Sequence, residues 1–306
     1  WTVPHFEKML YDNGQLLSLY SSAIRFGPDQ LFEDAITETI EWMVRDLRNP
    51  LGGFYSSVDA DSNEEEGGFY TWRREELKAA LNEDQYLLIE TLYGMDKSPN
   101  FNNRWVLHRN DSWRSVVSRL QLEPETARDN LLESKGLLFN NRQQRTPPNR
   151  DQKILTAWNA VTIKGIIESA DALGNKEDWI NLAIQATDFI HHHLWDGETL
   201  FATWTDGQAK YHGYLDDYAH LLDALLALLR THWRDQDAQL ANHLAESLIT
   251  KFYDEDQGGF FFTAHDQEHL FHRPKPSMDH ELPSGNGVAV RCLNEFGNLM
   301  GLPKHI

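Results

Sequence analysis

Gly258-Gly259-Phe260-Phe261-Phe262-Thr263 repeats Gly52-Gly53-Phe54-Tyr55-Ser56-Ser57, and Thr199-Leu200-Phe201-Ala202-Thr203-Trp204 is a looser copy. A glycine turn followed by aromatic and hydroxyl residues reads as a short strand or extended hairpin. What precedes each copy is also repeated. Leu31 to Leu47, Trp179 to Leu194 and Leu240 to Phe252 each carry apolar residues at spacings of three and four, the mark of a helix with one buried stripe and one wet face. Before those helices stand three others, Gln15 to Phe26, Ile154 to Leu173 and Leu215 to Leu229, and a fourth runs from Pro283-Ser284-Gly285-Asn286 to Met300. These four are small or apolar on most faces, which makes them buried helices.

The unit is therefore an inner helix, an outer helix and a short hairpin, repeated at a fixed order along the chain. Inner helices ringed by outer ones make a mainly α protein, an (α/α) toroid of helical hairpins of the six-hairpin glycosidase type, with short β-hairpins at one face. Four inner helices, three with outer partners, are fewer than a closed ring of six needs, so a partial toroid is expected. The inner helices should present their N-terminal ends at one mouth, where free N–H groups and polar side chains gather. All 306 residues are expected to form one domain. Within it, about 69–150 departs from the repeat and reads as an inserted lid or buttress. There, strands are predicted at Phe69 to Trp72 and Asn103 to Leu107. Short helices are predicted at Arg74 to Leu81, Gln85 to Tyr93, Arg114 to Leu120 and Thr126 to Ser134, with a turn-rich exit at Thr146-Pro147-Pro148-Asn149.

With 28 Lys plus Arg against 47 Asp plus Glu, the net charge is −19. Such a field repels phosphate backbones and anionic lipid, so neither nucleic acid nor a membrane is an expected partner. No apolar run approaches the length that spans a bilayer, and a cytoplasmic protein is expected. The single cysteine, Cys292, excludes an intramolecular disulfide and reads as a small buried hydrophobe. The 10 Trp, 10 Tyr and 15 Phe fill a core or line a cavity, because their faces stack on sugar rings. His191-His192-His193 point in different directions on a helix and cannot share a metal. The acidic run Asp59 to Glu66 lacks the ligand spacing of an EF-hand. No cofactor or metal is expected.

Several polar groups sit where the mouth is predicted. Pro4-His5-Phe6-Glu7-Lys8 places a base, an acid and a cation just before the first inner helix, where His5 can serve as a proton carrier or tie a turn. Asp12-Asn13 and Asp216-Asp217-Tyr218 occupy equivalent repeat positions. One Asp of each set is explained as a helix cap, and the surplus carboxylates can act in pairs on a glycosidic bond or bond one hairpin to the next. Asp59 and Asp61 can point into the mouth. Tyr11, Trp158, Asn159 and Asn286 lie beside it as binding candidates. His272-Arg273-Pro274-Lys275 is basic in an acidic chain and can take a substrate anion or pair with local acids. His212 and Tyr214 are further mouth residues.

Val3-Pro4-His5-Phe6-Glu7-Lys8-Met9-Leu10-Tyr11-Asp12-Asn13, Asp59-Ala60-Asp61-Ser62 with Phe69-Tyr70-Thr71-Trp72, Lys153-Ile154-Leu155-Thr156-Ala157-Trp158-Asn159, Leu215-Asp216-Asp217-Tyr218-Ala219, and Arg273-Pro274-Lys275 with Pro283-Ser284-Gly285-Asn286 resemble, in order, the YyaL-type, spermatogenesis-associated protein 20 family. The resemblance runs nearly end to end. It implies a toroid similar to the six-hairpin glycosidases and N-acylglucosamine 2-epimerases, fused in that family to a thioredoxin-like domain that would be this chain's partner. Departures fall at Gln152, Ala160 and His280-Glu281. Three functions stay open. One is a sugar epimerase or isomerase using His5 with His212 or His272. The second is a glycoside hydrolase drawing a carboxylate pair from Asp12, Asp59, Asp61, Asp216 and Asp217. The third is a non-catalytic binding or scaffolding module for the thioredoxin-like domain. A small sugar-like molecule is the ligand expected of the first two.

Overall fold

The computed structural model describes residues 2–174, 176–267 and 271–302. In chain order its α-helices are α1 (Leu10–Phe26), α2 (Gln30–Asp46), α3 (Arg74–Ala80), α4 (Glu83–Tyr93), α5 (Trp113–Arg119), α6 (Pro124–Arg142), α7 (Thr156–Ala172), α8 (Glu177–His193), α9 (Leu215–Thr231), α10 (Asp235–Ser247) and α11 (Gly285–Met300). The chain divides into two compact units. One comprises the residues up to Lys8 with Val58–Asn149, and the other comprises Met9–Ser57 with the chain from Arg150 on. No helix among the described residues is long and apolar enough to cross a membrane.

The second unit carries the repeat. α1 packs on α7, α7 on α9 and α9 on α11, while α2, α8 and α10 back α1, α7 and α9 in turn. Inner and outer helices alternate, the hairpin arrangement of an α/α toroid. Burial follows the predicted pattern. In α9 every residue from Asp217 to Leu229 is buried, whereas α2 buries only Ile36, Ile40 and Met43, a stripe at intervals of four and three. The sequence places the last outer helix over Leu240 to Phe252. It begins earlier, at Asp235, and its final turn, Leu248–Phe252, widens to a π-helix.

Two glycines set the spacing of α1 and α7. A Cβ on Gly165 would stand 2.3 Å from the Gly14 carbonyl oxygen, and one on Gly14 would stand 2.9 Å from the Thr162 Cα. The helices touch backbone to backbone there, and the Ser21 and Ser169 hydroxyls bond across the same contact at 2.9 Å.

After each outer helix the chain turns back and bridges antiparallel to the helix exit, at Arg48 with Phe54, Trp195 with Leu200, and Tyr253 with Phe260. The next inner helix then fastens the bridged residue with a side chain. Asn159 accepts from the Phe54 N–H at 2.8 Å and donates to its carbonyl at 3.0 Å. The Tyr218 hydroxyl accepts from the Leu200 N–H at 3.2 Å. Asn286 accepts from the Phe260 N–H at 2.7 Å and donates to its carbonyl at 2.9 Å. Backbone groups buried away from water must find partners, and in three consecutive repeats a polar residue in the first turn of the following helix supplies them. The middle copy extends into a real hairpin, Phe201–Thr205 with Gln208–His212.

The first unit is built differently. Trp72, Leu77, Leu81, Ile89, Met95, Trp105 and Leu138 form its main core, with Leu88, Leu92 and Val116 as a second cluster. The predicted strand Phe69 to Trp72 is instead a turn wound on Gly67, whose carbonyl takes the N–H groups of Tyr70 and Thr71 at 3.0 Å each. Only Trp72 bridges, to Trp105. Backbone donors satisfied locally are not available to a ladder. Arg145 donates to the Phe69 and Thr71 carbonyls at 2.9 and 2.7 Å and rests 4.2 Å from the Trp72 ring.

Candidate functional site

The N-terminal ends of four inner helices meet at one cleft of about 470 Å³. Met9 and Tyr11 come from the start of α1, Trp158 from α7, Asp216 from α9, and Ser284 and Gly285 from α11. Phe262, from the last bridged segment, and a strap over 276–283 complete the lining. Tyr11 and Trp158 meet edge to face, with ring centroids 4.7 Å apart, and Phe262 stacks on Tyr214 at 4.9 Å. Apolar faces with a few convergent polar groups are the usual make-up of a small-ligand pocket.

Asp216 is the carboxyl of the helix ends that faces this cleft. It stands second in α9, where the helix N-terminus favours negative charge. Its Oδ1 is shielded from solvent without a well-aligned hydrogen bond. Desolvation by burial raises its pKa above the usual carboxylate value, and the nearby Gly285 amide opposes that shift without cancelling it. The glycine is required: a Cβ at 285 would stand 2.3 Å from Asp216 Oδ1.

The neighbouring Asp217 is buried at 5% exposure. Its Oδ1 accepts from the Ala157 N–H and its Oδ2 from the Tyr214 N–H, each at 2.9 Å, so it caps its own helix and ties it to α7. Burial pushes its pKa up to about 7 despite those two bonds, and Asp216 beside it adds to the rise. Asn159 is fully enclosed, and Asn159, Tyr218 and Asn286 spend their polar groups on the bridged segments described above. The sequence placed all four at the mouth as site residues; the structure commits them to backbone. The physical reason is one requirement, that each hairpin bury the polar ends of the one before it.

The basic candidates are committed as well. Arg273 donates through Nε to the Thr263 carbonyl at 3.2 Å and lies 4.1 Å from the Phe261 ring. Lys275 pairs with Asp254 at 2.5 Å. His272 is exposed, and so is Asp12, whose pKa partial burial raises. Asn13 donates to the Met9 carbonyl at 2.8 Å. His212 is exposed at the hairpin edge, with its ring 5.8 Å from Phe201.

The remaining candidates belong to the first unit. His5 and Glu7 are exposed there. Lys8 donates to the Phe6 carbonyl at 2.9 Å and sits 3.5 Å from the Tyr70 ring centroid. Asp59 gives its N–H to the Asn149 carbonyl at 2.8 Å. Asp61 pairs with Glu66 in a two-residue hairpin, with Asn63 and Glu64 left-handed at φ 52° and 62°. The histidine run diverges as read. His191 lies 3.7 Å from Asp237, the His192 ring bonds the Asp188 carbonyl at 2.6 Å, and His193 packs on Phe189.

The strap was not singled out as a site. It brings Met278, His280 and Glu281 to the cleft, and it is anchored at both ends. Ser284 receives Asp279 Oδ1 on its N–H at 2.9 Å and donates its hydroxyl to the Pro276 carbonyl at 3.0 Å. The Glu281 carbonyl accepts from Gln15 of α1 at 2.8 Å, and the Pro283 carbonyl from His220 Nε2 at 3.1 Å. The sequence signal for it was the Pro276 and Pro283 bracket around mixed polar residues.

Under the cleft, α9 presents Asp223, which is 4% exposed. Lys164 of α7 reaches it at 2.8 Å and Arg291 of α11 at 2.5 Å. Burial opposes its ionisation, but the two cations outweigh that and hold its pKa below the usual range.

No family model matches the chain. Spermatogenesis-associated protein 20 of Homo sapiens is 30% identical over 337 aligned positions, which take in 98% of this chain and 43% of the human protein. The Rattus norvegicus protein of that name is likewise 30% identical, and an uncharacterised protein of Caenorhabditis elegans is 27% identical over 96% of this chain. The chain thus spans under half the length of these relatives. Among solved structures, cellobiose 2-epimerase from Spirochaeta thermophila superposes on 98% of this chain and 56% of its own, with a TM-score of 0.53 at 14% identity. A glycosyl hydrolase of family 88 from Bacteroides vulgatus covers 96% of this chain and 63% of its own, with a TM-score of 0.51 at 8% identity. At such identities the likeness is one of fold. Over nearly all of its own length the chain is thus similar to the spermatogenesis-associated protein 20 proteins, and it is built on the α/α toroid fold of cellobiose 2-epimerase and the family 88 glycosyl hydrolase.

Proposed function

We propose that the cleft at the inner-helix ends is a carbohydrate site and that the Asp216 carboxylate is the group that acts on the bound sugar. One observation carries this reading: four helix N-termini converge on aromatic faces and on the shielded Asp216 carboxyl, whose Oδ1 lacks a well-aligned hydrogen bond and has the Gly285 amide beside it. A carboxylate whose pKa burial has raised is a stronger base than an exposed one. The carboxyl and imidazole groups among the described lining residues are Asp216, Glu281 and His280, two carboxyls and one imidazole, which favours glycosidic-bond chemistry over exchange between two histidines. Solved structures of the same fold belong to proteins that act on sugars by their names, which adds weight to the ligand class.

The test is a thermal-shift panel of neutral monosaccharides, disaccharides and amino sugars on the wild-type chain and Asp216→Asn. A ligand at a hundred times its Kd adds about 2.7 kcal/mol of stability. A sugar shift that Trp158→Ala abolishes, and that Asp216→Asn reduces for at least one sugar of the panel, supports the site. A flat response from the wild type overturns it. The non-catalytic reading, a module for a thioredoxin-like domain, draws on the commitment of Asp217, Asn159, Tyr218 and Asn286 to the fold, and a flat panel would favour it.

A further inference from the structure

The charges around the cleft narrow its ligand. Two carboxyls, Asp216 and Glu281, are among its lining residues, and among those described there is no lysine or arginine. The cations on neighbouring segments are held elsewhere: Lys164 and Arg291 on Asp223, Lys275 on Asp254, and Arg273 on the Thr263 carbonyl. Helix N-termini ordinarily draw anions. Here amides at the ends of these helices already have acceptors from the chain itself: Leu10 from Ser56, Ala157 from Asp217, and Ser284 from Asp279. Asp216 Oδ1 is shielded from solvent without a well-aligned donor, with only the Gly285 amide named beside it, and a shielded carboxylate is best met by a charged donor. Tyr11 and Trp158 offer ring faces and edges beside it, and a cation is attracted to such faces. The net charge of −19 favours the approach of a positively charged ligand.

Resting on the carbohydrate reading above, we infer that the sugar this cleft takes carries a positive charge, an amino sugar whose ammonium is met by Asp216 and Glu281 beside the Tyr11–Trp158 pair. A bound ammonium also keeps Asp216 in its ionised form, the form in which it serves as a base.

Isothermal titration at pH 7 with glucosamine, glucose, N-acetylglucosamine and cyclohexylamine separates the outcomes. Glucosamine is expected to bind about tenfold tighter than glucose or N-acetylglucosamine, the gap between a charge-assisted and a neutral hydrogen bond. Added salt should narrow that gap. Asp216→Asn should remove the preference and leave glucose binding in place. Glu281→Gln, at an exposed side chain, should reduce it in the same direction. Equal binding of glucosamine and the two neutral sugars overturns the inference and leaves the carbohydrate site standing. Cyclohexylamine binding as well as glucosamine overturns the carbohydrate reading and keeps the cation subsite. No binding by any of the four overturns both.

Discussion

Gly165→Ala should destabilise the toroid unit, against the usual sign of such a change. In an ordinary helix interior, replacing Gly by Ala stabilises by about 1 kcal/mol. At Gly165 the added Cβ would lie 2.3 Å from the Gly14 carbonyl oxygen and 3.0 Å from Leu17 Cβ. Ordinary contact begins near 3.4 Å. The obstructing atom is backbone in the middle of α1, so it cannot swing aside. Relief requires α1 and α7 to part by roughly an ångström, which loosens close packing along the contact and stretches the Ser21–Ser169 bond. Overpacking of this kind costs about 3 kcal/mol at the upper end of its range, leaving a net loss of about 2 kcal/mol after the propensity gain. Gly136 supplies the control. It lies within α6, and a Cβ there would meet nothing within 4 Å. Gly136→Ala should therefore gain about 1 kcal/mol. Urea denaturation followed by circular dichroism reads both variants against wild type. If Gly165→Ala shifts the midpoint upward as Gly136→Ala does, α1 and α7 do not approach as closely as described, and the account of inner-helix spacing fails.

Asn159→Ala strips partners from both polar groups of Phe54 and from the Leu155 carbonyl; at about 1–3 kcal/mol for a buried group left unpaired, a loss of about 3 kcal/mol of unfolding free energy in urea is expected, and a change under about 1 kcal/mol would refute the fastening role. His220, buried and neutral, has its pKa lowered from 6.5 to about 4 by burial, so its contribution, on the order of 3 kcal/mol, is complete above about pH 6.5 and is lost as pH falls through 4. Asp217 has the opposite sign: raised from 3.8 to about 7, it contributes most below about pH 4 and loses on the order of 4 kcal/mol as pH rises through 7. The two slopes oppose each other over about pH 4 to 6.5, so with stability measured across that window His220→Gln should leave it falling more steeply with rising pH than in the wild type, and Asp217→Asn should leave it rising; curves parallel to wild type in both variants would contradict the burial of these groups.

Much of the toroid was legible because its signals are local and repeated. Helix periodicity separated α2, α8 and α10, each with one apolar stripe, from α7 and α9, apolar nearly all round, and the Gly-aromatic copies marked the unit. The first unit was less legible. Phe69 to Trp72 has strand composition, yet Gly67 takes its backbone donors, and α6 runs from Pro124 to Arg142 where a shorter helix was read, because its polar composition gives a weak period.

The site divides along the same line. The sequence by itself pointed to side chains near the inner-helix starts, since Tyr11, Trp158, Asp216, Asp217, Tyr218, Asn159 and Asn286 all lie close to them in the repeat. It could not say which of them the fold would consume. Asp216 and Asp217 are adjacent and chemically identical, but successive positions on a helix point about 100° apart. That rotation turns Asp217 onto the amides of Ala157 and Tyr214 and leaves Asp216 facing the cleft. Likewise the strap with Met278, His280 and Glu281 reaches the cleft only because Ser284, Gln15 and His220, far apart in sequence, hold its backbone there. Helical pattern is a property of neighbouring residues, whereas the partner of a polar group is decided by what the tertiary packing brings within three ångströms of it.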